Sequence, residues 1–500
     1  MGKRTQKDQD AAQRDRQIER TDHQTACKNK AGRKQKPRAP EPVTADLIKI
    51  LIDHFFPDFN EWLGKLSDPR LADRITYSKE HLFYLGLNMF LFHCGSRNQL
   101  ESERQTLAFY HNLLTLSGTD EEQTATAEAM AYFMEIMDPA GGLELIPGEM
   151  VGRLIRSRVL DRYRNSHGEF MIAMDGVHLF TRKGEHPNSA RKTVNGERCS
   201  YYYALEAKLV TVDGMGLSLA TVFIETEEEY DKEDCELKAF YRLEKILKTR
   251  FPRLRICILL DGLYSNQKVL KICENNGWGY YITLKAGTIP SVYKEAMAQI
   301  QDRPEQSVDH SPEPGVYQHI SWAANIKYAG NHFHVLVCEE TKITKNGIEK
   351  NNFVWMTDAR PNKNNAAQLA KEARCRWVVE EMFNIQKNGG YELEHNFGTV
   401  GFAMKNYYYL MQIAHLLHQL MVRSDLFPKL QKNFIQQEFR QLPGQIKILL
   451  AAVAETTLGY FNTVINFVKR LGESFRTKYL SELATNPEAL GNIQIRFDSS

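Results

Sequence analysis

Two short apolar runs, each closed by the same dipeptide, constrain the fold of this chain more than any other feature. Phe170-Met171-Ile172-Ala173-Met174 ends in Asp175-Gly176, and the run over 255–260 ends in Asp261-Gly262. A continuous apolar run of this length, stopped by turn residues, reads as a buried strand. Further strand-like stretches cover Tyr201–Val212 and Leu217–Glu225, and Asp213-Gly214-Met215-Gly216 between them is a hairpin signal. Helical stretches at Asp234–Thr249 and near Asn266–Asn275 lead to another strand at Gly279–Leu284. The order β-β-β-α-β-α-β predicts an α/β fold with a mixed sheet: a hairpin trio, then crossovers.

The flanks divide differently. Residues 1–43 are a tail without apolar periodicity, expected to be disordered. Residues 1–40 hold 12 Lys/Arg against 5 Asp/Glu, a net +7, whereas the other 460 residues hold 52 bases and 57 acids. Such an arm suits phosphate contact, and equally a solvated tail without a partner. Residues 44–166 read as a helical N-terminal domain. Thr44 is its first N-cap, for Ala45–Phe56, and helical segments follow at Ser78–Phe92, Ser102–Leu116, Thr124–Ile136 and Gly148–Arg164. The sheet region occupies 167–289. A β-rich insertion follows at 290–357, with strands at Tyr317–Trp322, His332–Cys338 and Phe353–Thr357 and Gly347 in a hairpin turn. Residues 358–425 return to the core through a long helix, 363–387, stopped by Asn388-Gly389-Gly390. Residues 426–500 are expected to be helical and are the candidate oligomerisation region.

Composition excludes several classes. With 42% hydrophobic and 25% charged residues, the chain is neither collagenous nor mostly disordered. Its eight cysteines are scattered, with no Cys-x-x-Cys pair, which argues against a zinc module and for reduced thiols. His81–Cys94, the most apolar long stretch, is too short to span a bilayer. No apolar signal segment follows the N-terminus, so a soluble, cytoplasmic protein is expected.

Asp175 and Asp261 are the first candidates for chemistry. Ligands of open α/β sheets bind at strand carboxyl ends, and two carboxylates there could hold divalent metal. Asp-Gly is also a common turn dipeptide. The third candidate lies in the helix. At about 100° per residue, Arg376, Glu380 and Lys387 share an arc of about 40°, while Glu381 lies about 100° away. The apolar neighbours Trp377, Val378, Val379, Met382 and Phe383 predict a largely buried helix, and a buried acid between two cations suits phosphate and metal work. An i,i+4 Arg–Glu pair is also an ordinary surface ion pair. Glu236 opens a helix, where its default role is to complement the dipole. Asp358 reads as a turn residue and His178 as structural. His332 and His334 lack further ligands at zinc spacing. Tyr407-Tyr408-Tyr409 reads as core. Gly214-x-Gly216 is a turn rather than a dinucleotide fingerprint, and there is no P-loop, hence no expected use of ATP.

Taken together, Arg376-x3-Glu380-x6-Lys387 after two strand-end aspartates resembles the insertion-sequence DDE transposases with the YREK signature. The likeness covers roughly residues 46–425. It implies an RNase H-like catalytic core with a β-rich insertion before the glutamate helix, flanked by N-terminal and C-terminal helical regions. It implies a catalytic, metal-binding triad of Asp175, Asp261 and Glu380, with Arg376 and Lys387 on substrate phosphates. It further implies two Mg²⁺ or Mn²⁺ ions and DNA as partner, both terminal repeats and target, with a homodimer or larger assembly on that DNA. The position of the signature's tyrosine is Ala373, a departure that touches a phosphate contact and not the triad. Two other readings stay open: an RNase H-like nuclease that only hydrolyses, in which Glu236 would matter more than Glu380, and a transposase-derived DNA-binding protein without catalysis.

Overall fold

The computed structural model describes residues 42–424, except 187, 195, 196, 226–231 and 346. The basic tail and the C-terminal helical region expected from sequence lie outside the described residues, apart from the two residues at the end of the tail.

The chain begins with helices α1 (Pro42–Phe55), α2 (Phe59–Gly64), α3 (Lys79–Leu91), α4 (Arg97–Glu103), α5 (Leu107–Ser117), α6 (Ala127–Ile136) and α7 (Ile146–Arg156). Their start signals are local. The side chains of Ser78, Ser96, Thr106 and Thr126 each accept a hydrogen bond from the backbone N–H three residues on. A cap of this kind is worth about 1 kcal/mol. Thr44 is not such a cap, because α1 starts ahead of it at Pro42. Nor does one helix cover Ser102–Leu116: α4 ends at Glu103, and Thr106 caps α5.

A mixed sheet follows: β1 (Phe170–Lys183), β2 (Ala190–Val194), β3 (Glu197–Val210) and β4 (Gly216–Ile224), then α8 (Lys232–Arg250), β5 (Ile256–Leu260), α9 (Gln267–Asn276), β6 (Gly279–Thr283) and α10 (Pro290–Asp302). Strands β7 (Ser307–Glu313), β8 (Val316–Tyr328), β9 (Asn331–Thr344) and β10 (Gly347–Thr357) precede α11 (Ala366–Arg374), α12 (Trp377–Asn388) and α13 (Ala403–Arg423). The ten strands form one sheet in the order β2-β3-β1-β5-β6-β10-β9-β8-β7, with β4 also on β3. Only β1–β5 and β5–β6 pair in parallel; the other pairings are antiparallel. The 290–357 region therefore opens with a helix and extends the same sheet, joined through β10 on β6.

Three departures from the sequence reading have physical causes. First, β1 does not stop at Asp175-Gly176. It continues on β3, with Asp175 opposite Glu206 and Gly176 opposite Leu205. Gly176 serves a close approach instead of a turn, since a Cβ there would lie 1.9 Å from the Tyr203 hydroxyl oxygen. Second, β2 and β7 are polar edge strands without an apolar run, and Pro312 in β7 is tolerated because an edge leaves N–H groups unpaired. Third, the helix expected over 363–387 is two helices. Between them the backbone tightens to three-residue bonds, Val378 N–H to Cys375 O at 3.1 Å and Val379 N–H to Arg376 O at 3.3 Å.

Helix α13 ties the parts together. It is buried along almost its whole length, Tyr407, Tyr408 and Tyr409 included. The Asn406 amide donates to the Met134 and Met137 carbonyls at 2.8 and 2.7 Å, and Gln412 accepts from Lys208 of β3 at 2.7 Å. One apolar cluster runs from Ala45 to Met421. Cys94, Cys199, Cys257, Cys273, Cys338 and Cys375 are buried and in no disulfide. No helix among the described residues is long and apolar enough to cross a membrane.

Candidate active site

Strands β1 and β5 run in parallel, with Phe170 opposite Ile256 and Ala173 opposite Leu259. The same register carried two residues on places Asp175 beside Asp261, on neighbouring strands roughly 4.8 Å apart. Asp261 directly follows β5 and caps the short turn Gly262–Tyr264, its carboxylate accepting from Leu263 N–H at 2.9 Å. Asp175 accepts from Gly176 N–H at 2.9 Å.

Glu380 arrives from the far end of the sequence. Arg376, at the head of α12, lies between it and the sheet. One guanidinium nitrogen is 2.6 Å from a Glu380 oxygen, and another is 3.7 Å from Asp175 Oδ2. The expectation that Glu380 is buried is corrected here. Its side chain is 51% exposed, whereas Arg376 is 12% and Asp175 22% exposed. The apolar face of α12 packs inward through Val378, Val379, Met382 and Phe383, which turns Glu380 toward the opening. Lys387 is not part of this group. It pairs with Glu394 at 2.9 Å, roughly 10 Å along the helix from Glu380.

A fourth acid belongs to the cluster. Glu236, near the start of α8, accepts from the Tyr264 hydroxyl at 2.9 Å and from the Tyr203 hydroxyl at 3.4 Å. Burial pushes its carboxyl up, the Tyr264 bond lowers it, and the Asp261 charge raises it again. Burial likewise raises both tyrosines, so they remain donors. Sequence reasoning missed these two residues. Tyr264 three positions after Asp261 is a weak local signal; Tyr203 is brought in only by strand pairing.

Asp175 is the most perturbed of the acids. Its carboxyl is pushed up to about 7, first by burial, with Arg376 opposing and the Glu380 and Asp261 charges adding to the rise. A carboxyl that burial and two neighbouring carboxylate charges raise, with one guanidinium beside it, offers oxygen donors of the kind hard divalent cations take. Among the described residues, however, no three Asp, Glu, His or Cys side chains are close enough to form a metal-binding group. Arg376 holds the place between Asp175 and Glu380.

Beside Arg376 opens a cavity of about 430 Å³. Its lining includes Lys285, Tyr293, Phe353, Trp355, Arg374 and Trp377. Arg374 lies 4.8 Å from the Phe353 ring centre and 5.5 Å from that of Trp377. Other sequence candidates lie elsewhere. Asp358 accepts from Tyr280 N–H at 2.8 Å, near the start of β6, and His178 stacks on Tyr201 at 4.4 Å. In comparison with known proteins, the chain matches no family model and no curated protein sequence.

Proposed function

We propose that the chain is a DNA transposase of the DDE type with an RNase H-like core. It would cut at the ends of its element and transfer the 3′-hydroxyl into target DNA. What carries the reading is one observation: the charges of Asp261 and Glu380, from two distant segments, both act on Asp175, which burial and those charges raise to about 7 against the pull of Arg376. The parallel trio β1-β5-β6 with antiparallel strands on its β1 side is consistent with that core. The aromatic and cationic cavity beside the carboxylates is consistent with a nucleotide substrate.

Asp175, Asp261 and Glu380 stand too far apart to form a metal-binding group as they are; drawn together they would hold Mg²⁺ or Mn²⁺, two ions, whose chemistry would be to activate the attacking oxygen and stabilise the leaving one. Arg376 presents a fork that matches a phosphate, and to bind one it would have to give up its contacts with Asp175 and Glu380. Asp175 would be ionised in that state, because a neighbouring cation favours the carboxylate. Tyr264 and Tyr203 hold Glu236 in place beside Asp261. The N-terminal helices would bind element ends, and two ends require a homodimer or larger assembly. Lys387 keeps a phosphate role only if Glu394 releases it.

A labelled duplex carrying the DNA that flanks the coding region, incubated with purified protein and Mg²⁺, tests this. Cleavage and strand joining, both lost in Glu380→Ala, are expected. Absence of joined product would sink the transposase reading. The position of Glu236 favours one second reading, a hydrolytic nuclease, for which cleavage survives Glu380→Ala and is lost in Glu236→Gln.

A further inference from the structure

The strands that bring the carboxylates together have another end, and arginine collects there. Arg156 closes α7, Arg158 and Arg162 follow it, and Arg253 and Arg255 lie in the loop between α8 and β5. The two segments touch. A Cβ on Gly152 would lie 3.5 Å from the Phe251 ring, and one on Gly168 would lie 3.5 Å from Arg255 Nη1. Phe170 N–H, at the start of β1, donates to the Arg255 carbonyl at 2.9 Å. Acids balance part of this charge. Glu149 is 3.7 Å from Arg156 and Asp161 is 3.0 Å from Arg164. Burial pushes the Glu169 carboxyl up, and Arg255 counters that only in part. Among the described residues Arg158, Arg162, Arg253 and Arg255 are exposed and make no ion pair.

We propose that this arginine face is a second duplex-DNA surface, separate from the one at the carboxylates. The inference rests on the DNA reading above. Arginine forks match phosphodiester oxygens. Among the described residues of the patch, Val159 alone is an exposed large apolar side chain, which leaves little to anchor in a lipid surface. Asp261 lies six positions beyond Arg255, across the five residues of β5, roughly 20 Å away. They stand at opposite ends of one strand, so a straight duplex lying across the carboxylates does not reach the arginines. The phosphates held there belong to another stretch of duplex, whose chemistry is that of the backbone and not of a base sequence.

The test uses the full chain and a variant combining Arg158→Ala, Arg253→Ala and Arg255→Ala. The probe is a labelled duplex of arbitrary sequence, titrated at several salt concentrations. Three lost phosphate contacts reduce the slope of log K against log salt by about 2.7. The basic tail is the same in both proteins and cancels in the difference. A control variant, Lys294→Ala with Lys345→Ala and Lys350→Ala, removes three exposed cations elsewhere and is expected to leave the slope nearly unchanged. An unchanged slope in the arginine variant overturns the proposal, as does an equal fall in the control. Loss of binding to anionic lipid vesicles with duplex binding intact overturns it in favour of a lipid surface. End cleavage is read separately. If the unaltered protein cleaves nothing, the transposase reading fails while the slope still decides this one.

Discussion

Replacing Asp175 by Asn turns the perturbed carboxyl into a measurable pH dependence of stability. The group titrates at about 7 in the folded chain against an ordinary value of 3.8. Its folded value is raised, so the stability it contributes is complete below about pH 4 and is lost as pH rises to about 7. A shift of roughly three pH units at about 1.36 kcal/mol each corresponds to about 4 kcal/mol. The 22% exposure of the side chain makes that an upper bound. Asn cannot ionise and loses nothing over the same range. Urea unfolding followed by tryptophan fluorescence, at about pH 4, 5.5 and 7.5, gives the stability of both proteins. The difference, variant minus unaltered, is expected to grow by up to about 4 kcal/mol between the ends of that range. Groups elsewhere, such as Glu121, whose carboxyl is lowered to about 2, titrate alike in both proteins and cancel. A difference flat in pH, or one that shrinks, refutes the account of the site's electrostatics. Mg²⁺ at about pH 7.5 extends the test. At a hundred times its Kd a cation held by this site stabilises the unaltered protein by about 2.7 kcal/mol, and the variant by less.

Other perturbations read the same geometry. Arg376→Ala removes the main influence that lowers Asp175, so the Asp175 carboxyl, followed by carbon NMR, titrates above its present value of about 7; an unchanged titration would contradict the contact. Tyr264→Phe deletes the hydrogen bond that lowers Glu236, and its titration moves up. Gly176→Ala places a methyl against the Tyr203 hydroxyl and is expected to cost about 1–3 kcal/mol in urea unfolding, less in a Tyr203→Ala background. Lys208→Met strands Glu206, which Lys208 contacts at 2.8 Å with both side chains buried, and should cost about 3–5 kcal/mol; Glu206→Gln added to it should recover part.

What could be read in the sequence was what the chain encodes locally. The apolar runs of β1 and β5 stand where expected, and Ser78 starts its helix by a side-chain cap three residues from His81 N–H. The two aspartates could be placed because each follows an apolar run directly. Features set by distant partners were not legible. Gly176 looks like a turn until Tyr203 is seen to occupy the space its side chain would need. The break at Cys375 and Arg376 carries neither Gly nor Pro, so periodicity runs straight through it. The exposure of Glu380 follows from which face of α12 meets the sheet, and that stripe reads equally well as buried or open until the partner is known. Lys387 shares the arc of Glu380 on the helix, yet Glu394 pairs with it.

The contrast between two groups of acids argues for what the cluster is built to meet. Glu372 is fully buried, yet Ser166 N–H, the Gln368 amide and the Tyr281 hydroxyl donate to it at 2.8, 2.8 and 3.0 Å. Such an acid is satisfied by the fold and asks for nothing more. Around Asp175 the compensation is incomplete. Asp175 and Glu380 share a single close guanidinium, and the ion pair it makes with Asp175 is the longer of its two at 3.7 Å, while the Asp261 charge also bears on Asp175. Structural ion-pair networks balance their charges, because an uncompensated buried charge is costly. Here the imbalance shows as the raised Asp175 carboxyl, at about 7. A cluster short of positive charge, at an opening and beside a cavity that Arg374 and Arg376 line, is what the proposed ligand, cations together with phosphate, would need.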